Sequence, residues 1–316
     1  MPSRRITSKN ERKRYLPERN ALHIHMQDLN QVNERIDRMY AALNQPPSVM
    51  PDQNEPLFLG VDIGTANVVS LVVNSRKEPV AGRIDQAHVV REGMIFDYFH
   101  ALRLVEKQVG DLKQFLNRDL RNVVSAVPPG TEHNNGRVTR NLLEGAGLNV
   151  LSIIDEPTAA AIALEIKDGV VVDVGGGTTG VSILKDGKVV FSDDESTGGF
   201  QLDLVLAGGL RIPIEEAEMK KCDPQLQEKL FPVVRPVFEK IITITHRCIK
   251  GYDPEIIYLV GGTSTYPGFA ELMQKMLGIP TVLPVHPLLV TPLGMALSCA
   301  DQAGQQQPER KLNFWE

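Results

Sequence analysis

Cysteine is scarce. Cys222, Cys248 and Cys299 are the whole complement of a 316-residue chain, and their spacing fits neither a metal knuckle nor a disulfide framework. Reduced thiols are expected, and with them a reducing compartment, the cytoplasm. Long apolar runs are missing too. The most apolar stretch, Leu277 to Leu297, is broken by Pro280, Pro284, Pro287 and Pro292, the punctuation of loops and strands rather than of a membrane helix. No apolar segment follows the basic N-terminus, so no secretory signal and no membrane anchor are expected. What is present is ordinary: 42% hydrophobic and 23% charged residues, enough chain for two domains with real cores.

The net charge of −5 conceals an asymmetry. Residues 1–25 hold seven Lys or Arg against Glu11 and Glu18, about +5, which leaves about −10 on the rest. Such an arm suits nucleic acid or anionic lipid, but no aromatic or amphipathic pattern accompanies the charge. The expected form is a disordered, solvated arm with no nucleic-acid partner. Met26 as the true start is an alternative. Residues 26–56 follow as an amphipathic helix from Asp28, with Leu29, Val32, Ile36, Met39, Tyr40 and Leu43 at helical spacing, and a Pro-rich linker, QPPSVMPDQNEP. The helix either packs on its own domain or serves as a docking element.

The chemistry starts at residues 170–180, VVVDVGGGTTG, where an apolar strand closes on Asp173 and three glycines. So much lost backbone order implies close approach or φ > 0. Residues 58–71, FLGVDIGTANVVSL, repeat the pattern: an apolar strand, Asp62, a Gly-Thr turn and a β-branched strand. Around each hairpin lies an α/β half, residues 57–168 and 169–300, and residues 301–316 are expected to be a flexible tail. Strands are expected at Asn122 to Val127, Val150 to Ile154 and Glu255 to Val260. Helices are expected over Asp97 to Leu120, about Arg137 to Glu144, from Pro157, and near Pro292 to Cys299. The fold class is α/β with an internal duplication.

Backbone N–H groups in a Gly-rich turn form a nest for phosphate oxygens, and a Thr hydroxyl adds a donor. Two facing turns could grip a polyphosphate from both sides. Carboxylates beside phosphates require a cation, so Asp62 and Asp173 imply Mg²⁺, which keeps several waters.

These segments resemble the actin and Hsp70-type ATPase superfamily. VDIGTAN (61–67) is similar to its first phosphate segment and VVDVGGGTTGVSI (171–183) to its second. IIDEPTAAAIAL (153–164) and TPLGMAL (291–297) resemble the two connecting segments, and YLVGGTSTYPGFAELMQ (258–274) the adenosine segment. The resemblance implies a duplicated ribonuclease H-like fold of two lobes around an ATP cleft. It places ATP against Gly64, Thr65, Asn67, Gly175, Gly176, Gly177, Thr178, Thr179, Gly261, Gly262 and Thr263. EEAEMKK (215–221) resembles the ribose-contacting stretch of bacterial relatives, at Glu218 and Lys221; an exposed helix with its own ion pairs is the alternative. Glu156 falls beneath the γ-phosphate, where a carboxylate orients or deprotonates water, and Asp155 is expected to cap the following helix.

HVVREGMIFDYF (88–99), VPPGTEHNN (127–135) and DDESTGG (193–199) resemble, within the superfamily, the ethanolamine-utilisation J proteins, chaperone-like members encoded with bacterial microcompartment genes. The implied partners are ethanolamine-utilisation enzymes or shell proteins, with self-association open, and the implied place is the cytoplasm with association to the microcompartment. Two departures stand out: Gly180 where the chaperones end their second phosphate turn in an acid, and Thr265 where they stack an Arg on adenine. No peptide-binding domain is expected after residue 300. A slow ATP-dependent assembly or reactivation factor is expected; a non-hydrolysing scaffold or filament-forming protein is the alternative.

Overall fold

The computed structural model describes residues 19–91, 93–131 and 133–306, with side chains from 29 to 304. Residues 1–18 of the basic arm and 307–316 of the tail lie outside the described residues, as does the side chain of Met26. Helix α1 runs Arg19–Ala41, nine residues upstream of where the periodicity begins, because neither Gly nor Pro interrupts the chain after Pro17.

The first lobe holds β1 (Leu57–Ile63), β2 (Asn67–Asn74), β3 (Pro79–Gln86), the short pair β4 (Val90–Arg91) and β5 (Met94–Ile95), α2 (Tyr98–Leu116), β6 (Asn122–Val127), α3 (Asn135–Gly145), β7 (Asn149–Asp155) and α4 (Glu156–Leu164). The second holds β8 (Gly169–Val174), β9 (Thr179–Lys185), β10 (Lys188–Glu195), α5 (Gly199–Leu210), α6 (Ile214–Cys222), α7 (Pro224–Cys248), β11 (Ile257–Val260), α8 (Phe269–Leu277) and β12 (Thr281–Val282). Helix α9 (Val290–Gln306) follows.

The sheets have orders β3-β2-β1-β6-β7 and β10-β9-β8-β11-β12. Each is an antiparallel meander whose first strand then pairs in parallel with a later one, β1 with β6 and β8 with β11. The identical order bears out the duplication read from the two hairpins. The turn between β9 and β10 is Asp186-Gly187, with φ of 52° and 73°, the left-handed pair that a two-residue hairpin requires. Asp97 caps α2, accepting from His100 N at 3.0 Å, and Val105, Val109, Leu112 and Leu116 of that helix face the first sheet, buried.

Two expectations change. Helix α9 does not stay with the second lobe; it lies on β1, β2 and β6 and crosses α4. Small residues permit this: a Cβ on Gly294 would strike the Ala159 carbonyl, and one on Gly60 the Ala296 amide. Residues from 290 therefore belong spatially to the first lobe, and the helix persists to Gln306, beyond the expected start of the tail.

Of the two readings of α1, the apolar face follows the one in which the helix packs on its own domain. Val32, Ile36 and Met39 are 0–1% exposed and join the core shared by α4 and α9. The Pro-rich segment does not isolate the helix: Leu43 bridges Gly82 of β3, and Asn44 N donates to Gly82 O at 2.8 Å. The same helix reaches the second lobe, where Asn33 Oδ1 accepts from Val285 N at 3.1 Å and Tyr40 stacks on His286 with centroids 3.7 Å apart.

Candidate functional site

The two hairpin turns face each other across a cleft of about 500 Å³, a volume suited to one small-molecule ligand. They are in near contact. A Cβ on Gly177 would lie 2.8 Å from Thr65 Oγ1, and one on Gly176 3.1 Å from the Ala66 Cβ. None of Gly175, Gly176 and Gly177 adopts positive φ, so the triplet answers to close approach alone and not to left-handed backbone. Gly261 meets both demands: its φ is +86°, and a Cβ there would strike Asp173 Oδ1.

Strand ends place the carboxylates. Asp62 ends β1 in the first lobe, Asp173 ends β8 in the second, and Glu156 opens α4 directly after Asp155, which caps that helix by accepting from Thr158 N at 2.8 Å. All three keep partial exposure, toward the cleft that they line. Desolvation and then the charge of Asp173 push Asp62 up from 3.8 to about 7. Glu156 stands well above its ordinary value through burial, then Asp173 and Asp62. Burial likewise raises Asp173, offset in part by the Thr291 hydroxyl, which donates to its Oδ2 at 2.8 Å. Mutual repulsion in a half-dry cleft is the state that a bound cation relieves. Among the described residues no three acidic, histidine or cysteine side chains could hold a metal by themselves. The donor set therefore fits Mg²⁺ held largely through waters and a ligand's phosphates, and not an all-protein cage.

Of the other expected residues, Gly64, Thr65, Asn67, Gly175, Gly176, Gly177, Thr178, Glu218, Lys221, Gly261, Gly262 and Thr263 line this cleft. Thr263 Oγ1 donates to Gly175 O at 2.8 Å, tying the 261–263 turn to the glycine triplet. Thr179 is a correction: its side chain is fully buried, donating to Thr197 O at 2.6 Å, and it does not line the cleft, because it already lies in β9 facing the protein interior. Lys221 is not paired within its own helix; its Nζ lies 2.8 Å from Asp203 Oδ2 and 3.3 Å from Gly199 O. Its ammonium thus fixes α6 to α5 at the wall of the cleft.

Sequence reasoning missed Thr291 as a site residue, although its segment was singled out, because only the return of α9 to the first lobe brings the hydroxyl to Asp173. It also missed Asp194 of β10, whose charge contributes to the elevation of Glu156, because its stretch, DDESTGG, was read only for its resemblance. Tyr266, Gln227 and Cys222 line the end of the cleft near Glu218, again through tertiary contacts alone.

Family models for "Hsp70 protein" and "Type IV pilus assembly protein PilM" match residues 101–221 and 163–293. The ethanolamine utilization protein EutJ of Escherichia coli K12 is 42% identical over 270 residues, 85% of this chain and 94% of its own. The crystal structure of EutJ from Carboxydothermus hydrogenoformans superposes with a TM-score of 0.80 at 40% identity, covering 85% of this chain and 99% of that one. MreB5 of Spiroplasma citri, solved with ADP, shares the fold at a TM-score of 0.65 and 18% identity, over 80% and 99% of the two chains. The architecture is the actin-like ATPase fold, and with this identity over nearly its whole described length the chain belongs to the EutJ family of ethanolamine utilization proteins.

Proposed function

We propose that the cleft binds ATP with Mg²⁺ and that the protein is a slow ATPase, a chaperone-like factor acting on the assembly or reactivation of ethanolamine-utilisation enzymes or shell proteins. The carrying observation is the pair of facing Gly-Thr turns with Asp62, Asp173 and Glu156 at their base. In this reading the amides of residues 64–67 and 175–178 and the hydroxyls of Thr65 and Thr178 hold the phosphates. Asp62 and Asp173 take a hydrated Mg²⁺, which supplies charge neutralisation for the phosphates. Gly261, Gly262, Thr263 and Glu218 flank the nucleoside, with Lys221 as a wall. Glu156, at the head of α4, orients the attacking water and accepts its proton. Closure of the lobes over nucleotide would alter a surface that partner proteins read. The EutJ kinship and the microcompartment gene context implied by the sequence resemblance support cytoplasmic work on those partners. Among the described residues no helix is long and apolar enough to cross a membrane.

A second reading, a non-hydrolysing scaffold or filament-forming protein, draws on Gly180, which leaves the second turn without a terminal carboxylate. Phosphate release from ATP, measured alone and with purified ethanolamine-utilisation enzymes and shell proteins, separates the two. Stimulated release supports the first, and nucleotide binding without any release supports the second.

A further inference from the structure

Gly180 has a neighbour that alters its meaning. Strand β10 pairs antiparallel with β9 so that Asp194 lies directly opposite Gly180. A Cβ built on Gly180 would stand 3.5 Å from Asp194 Oδ1. The Asp194 carboxylate thus lies at contact distance from where a side chain at position 180 would begin, and a long side chain there would meet it.

Two further observations tie this carboxylate to the acidic group of the cleft, and two describe its surroundings. Burial, and then the charge of Asp173, raise Asp194 to about 6, and Asp194 in turn contributes to the elevation of Glu156, so its charge is felt at both. Asp173 of β8 pairs with the same Gly180 from its other side, so Asp173, Gly180 and Asp194 stand in one row across three strands. Asp194 Oδ1 is buried and has no hydrogen-bond partner among the described residues. A buried carboxylate oxygen without a donor is costly. Asp194 also lines a rear recess with Pro129, Thr131, Asp155 and Ser192, a polar space in which water can stand.

We infer that Asp194 is a positioning residue of the nucleotide site: its Oδ1 accepts a hydrogen bond from a water in the hydration shell of the bound Mg²⁺, so that β10 supplies the carboxylate absent at residue 180. The inference rests on the ATP–Mg²⁺ reading above. Mg²⁺ retains several waters, each with protons to donate, and carboxylates that orient a metal's outer shell commonly govern its affinity. Glycine at 180 then leaves room for the Asp194 carboxylate, where a second carboxylate at 180 would compete for the same space.

The test uses the full chain with ATP held saturating and Mg²⁺ titrated, reading the thermal shift and the Mg²⁺ concentration at its midpoint. Asp194→Ala removes the acceptor oxygen; it should raise that midpoint about tenfold or more, the usual cost of removing an outer-shell partner. The double variant Asp194→Gly with Gly180→Asp returns a carboxylate to the same space from the other strand. Residue 180 lacks left-handed backbone and has open surroundings once Asp194 is gone, so the substitution is tolerable, and most of the lost Mg²⁺ affinity should return. An unchanged midpoint in Asp194→Ala, or a folded double variant whose midpoint stays displaced, overturns the inference. Failure of the underlying reading looks different: the unsubstituted protein itself would then show no Mg²⁺-dependent shift with ATP.

Discussion

Thr291, in the first turn of α9, donates its hydroxyl proton to Asp173 of β8 across 2.8 Å, so a helix seated on the first sheet steadies a carboxylate of the second. The bond favours the ionised form of Asp173 against the burial that disfavours it. Thr291→Val should therefore raise the Asp173 pKa further and weaken Mg²⁺–ATP binding by about 1.5–3 kcal/mol, the range for hydrogen bonds to charged groups. Thr291→Ser should retain it. Calorimetric titration at pH 8 checks both; equal affinity in all three proteins would show that the contact is incidental.

The pH dependence follows from Asp62, which moves from 3.8 to about 7 on folding. Between these values the folded state holds a proton that the unfolded chain releases. Its stabilising contribution is complete below about pH 4 and is lost as pH rises through 7. The ligand-free protein should lose melting temperature from pH 5 to 8 more steeply than Asp62→Asn does. With Mg²⁺–ATP the trend reverses, because the cation competes with protons, and the ligand-induced shift should grow from pH 6 to 8. Identical slopes for Asp62→Asn and the unsubstituted protein would contradict the assignment.

Binding and hydrolysis should separate by mutation. Gly176→Val adds a branched side chain where even a Cβ meets Ala66 at 3.1 Å, filling the phosphate space, so ATP affinity should fall at least tenfold in the folded protein. Since residue 176 does not use positive φ, the damage is steric and not conformational. Glu156→Ala should leave affinity nearly intact and lower turnover by about 10² to 10⁴. Normal affinity in the glycine variant, or lost affinity with unaltered turnover in the glutamate variant, would overturn this division of labour.

Helix α1 makes a stability prediction. Val32, Ile36 and Met39 are buried, and each such side chain contributes about 1.5–3 kcal/mol. Deleting residues 1–44 should leave the protein largely unfolded, whereas beginning at Met26 retains all three contacts and should preserve the cooperative melt. Circular dichroism melts of the two truncations decide it. A shorter protein lacking residues 1–44 that melts like the full chain would show that the helix is dispensable.

The fold was legible where local chemistry dominates. The strands around Asp62 and Asp173, the Asp155 cap and helix α2 all appear where residue pattern places them. What escaped depends on contacts between distant segments. Nothing local says that α9 leaves the second lobe, since Gly60 and Gly294 acquire meaning only against Ala296 and Ala159. The register that sets Asp194 over Gly180 is likewise invisible in DDESTGG. Thr179 misled because it continues a Gly-Thr run, yet the first residue of a strand turns its side chain to whichever side the pleat dictates. The face of α1 was readable, but the sequence could not distinguish a face covered by its own core from one awaiting a partner.

The central claim is that the two hairpins form one Mg²⁺-dependent nucleotide site, and differential scanning fluorimetry of the unsubstituted protein, Asp62→Ala and Asp173→Ala with ATP, with and without EDTA, tests it most directly. At a hundredfold excess of ligand over its dissociation constant the stabilisation should be about 2.7 kcal/mol, most of it lost on chelation and in each variant. A full ATP shift that survives EDTA and both substitutions would mean that the site lies elsewhere.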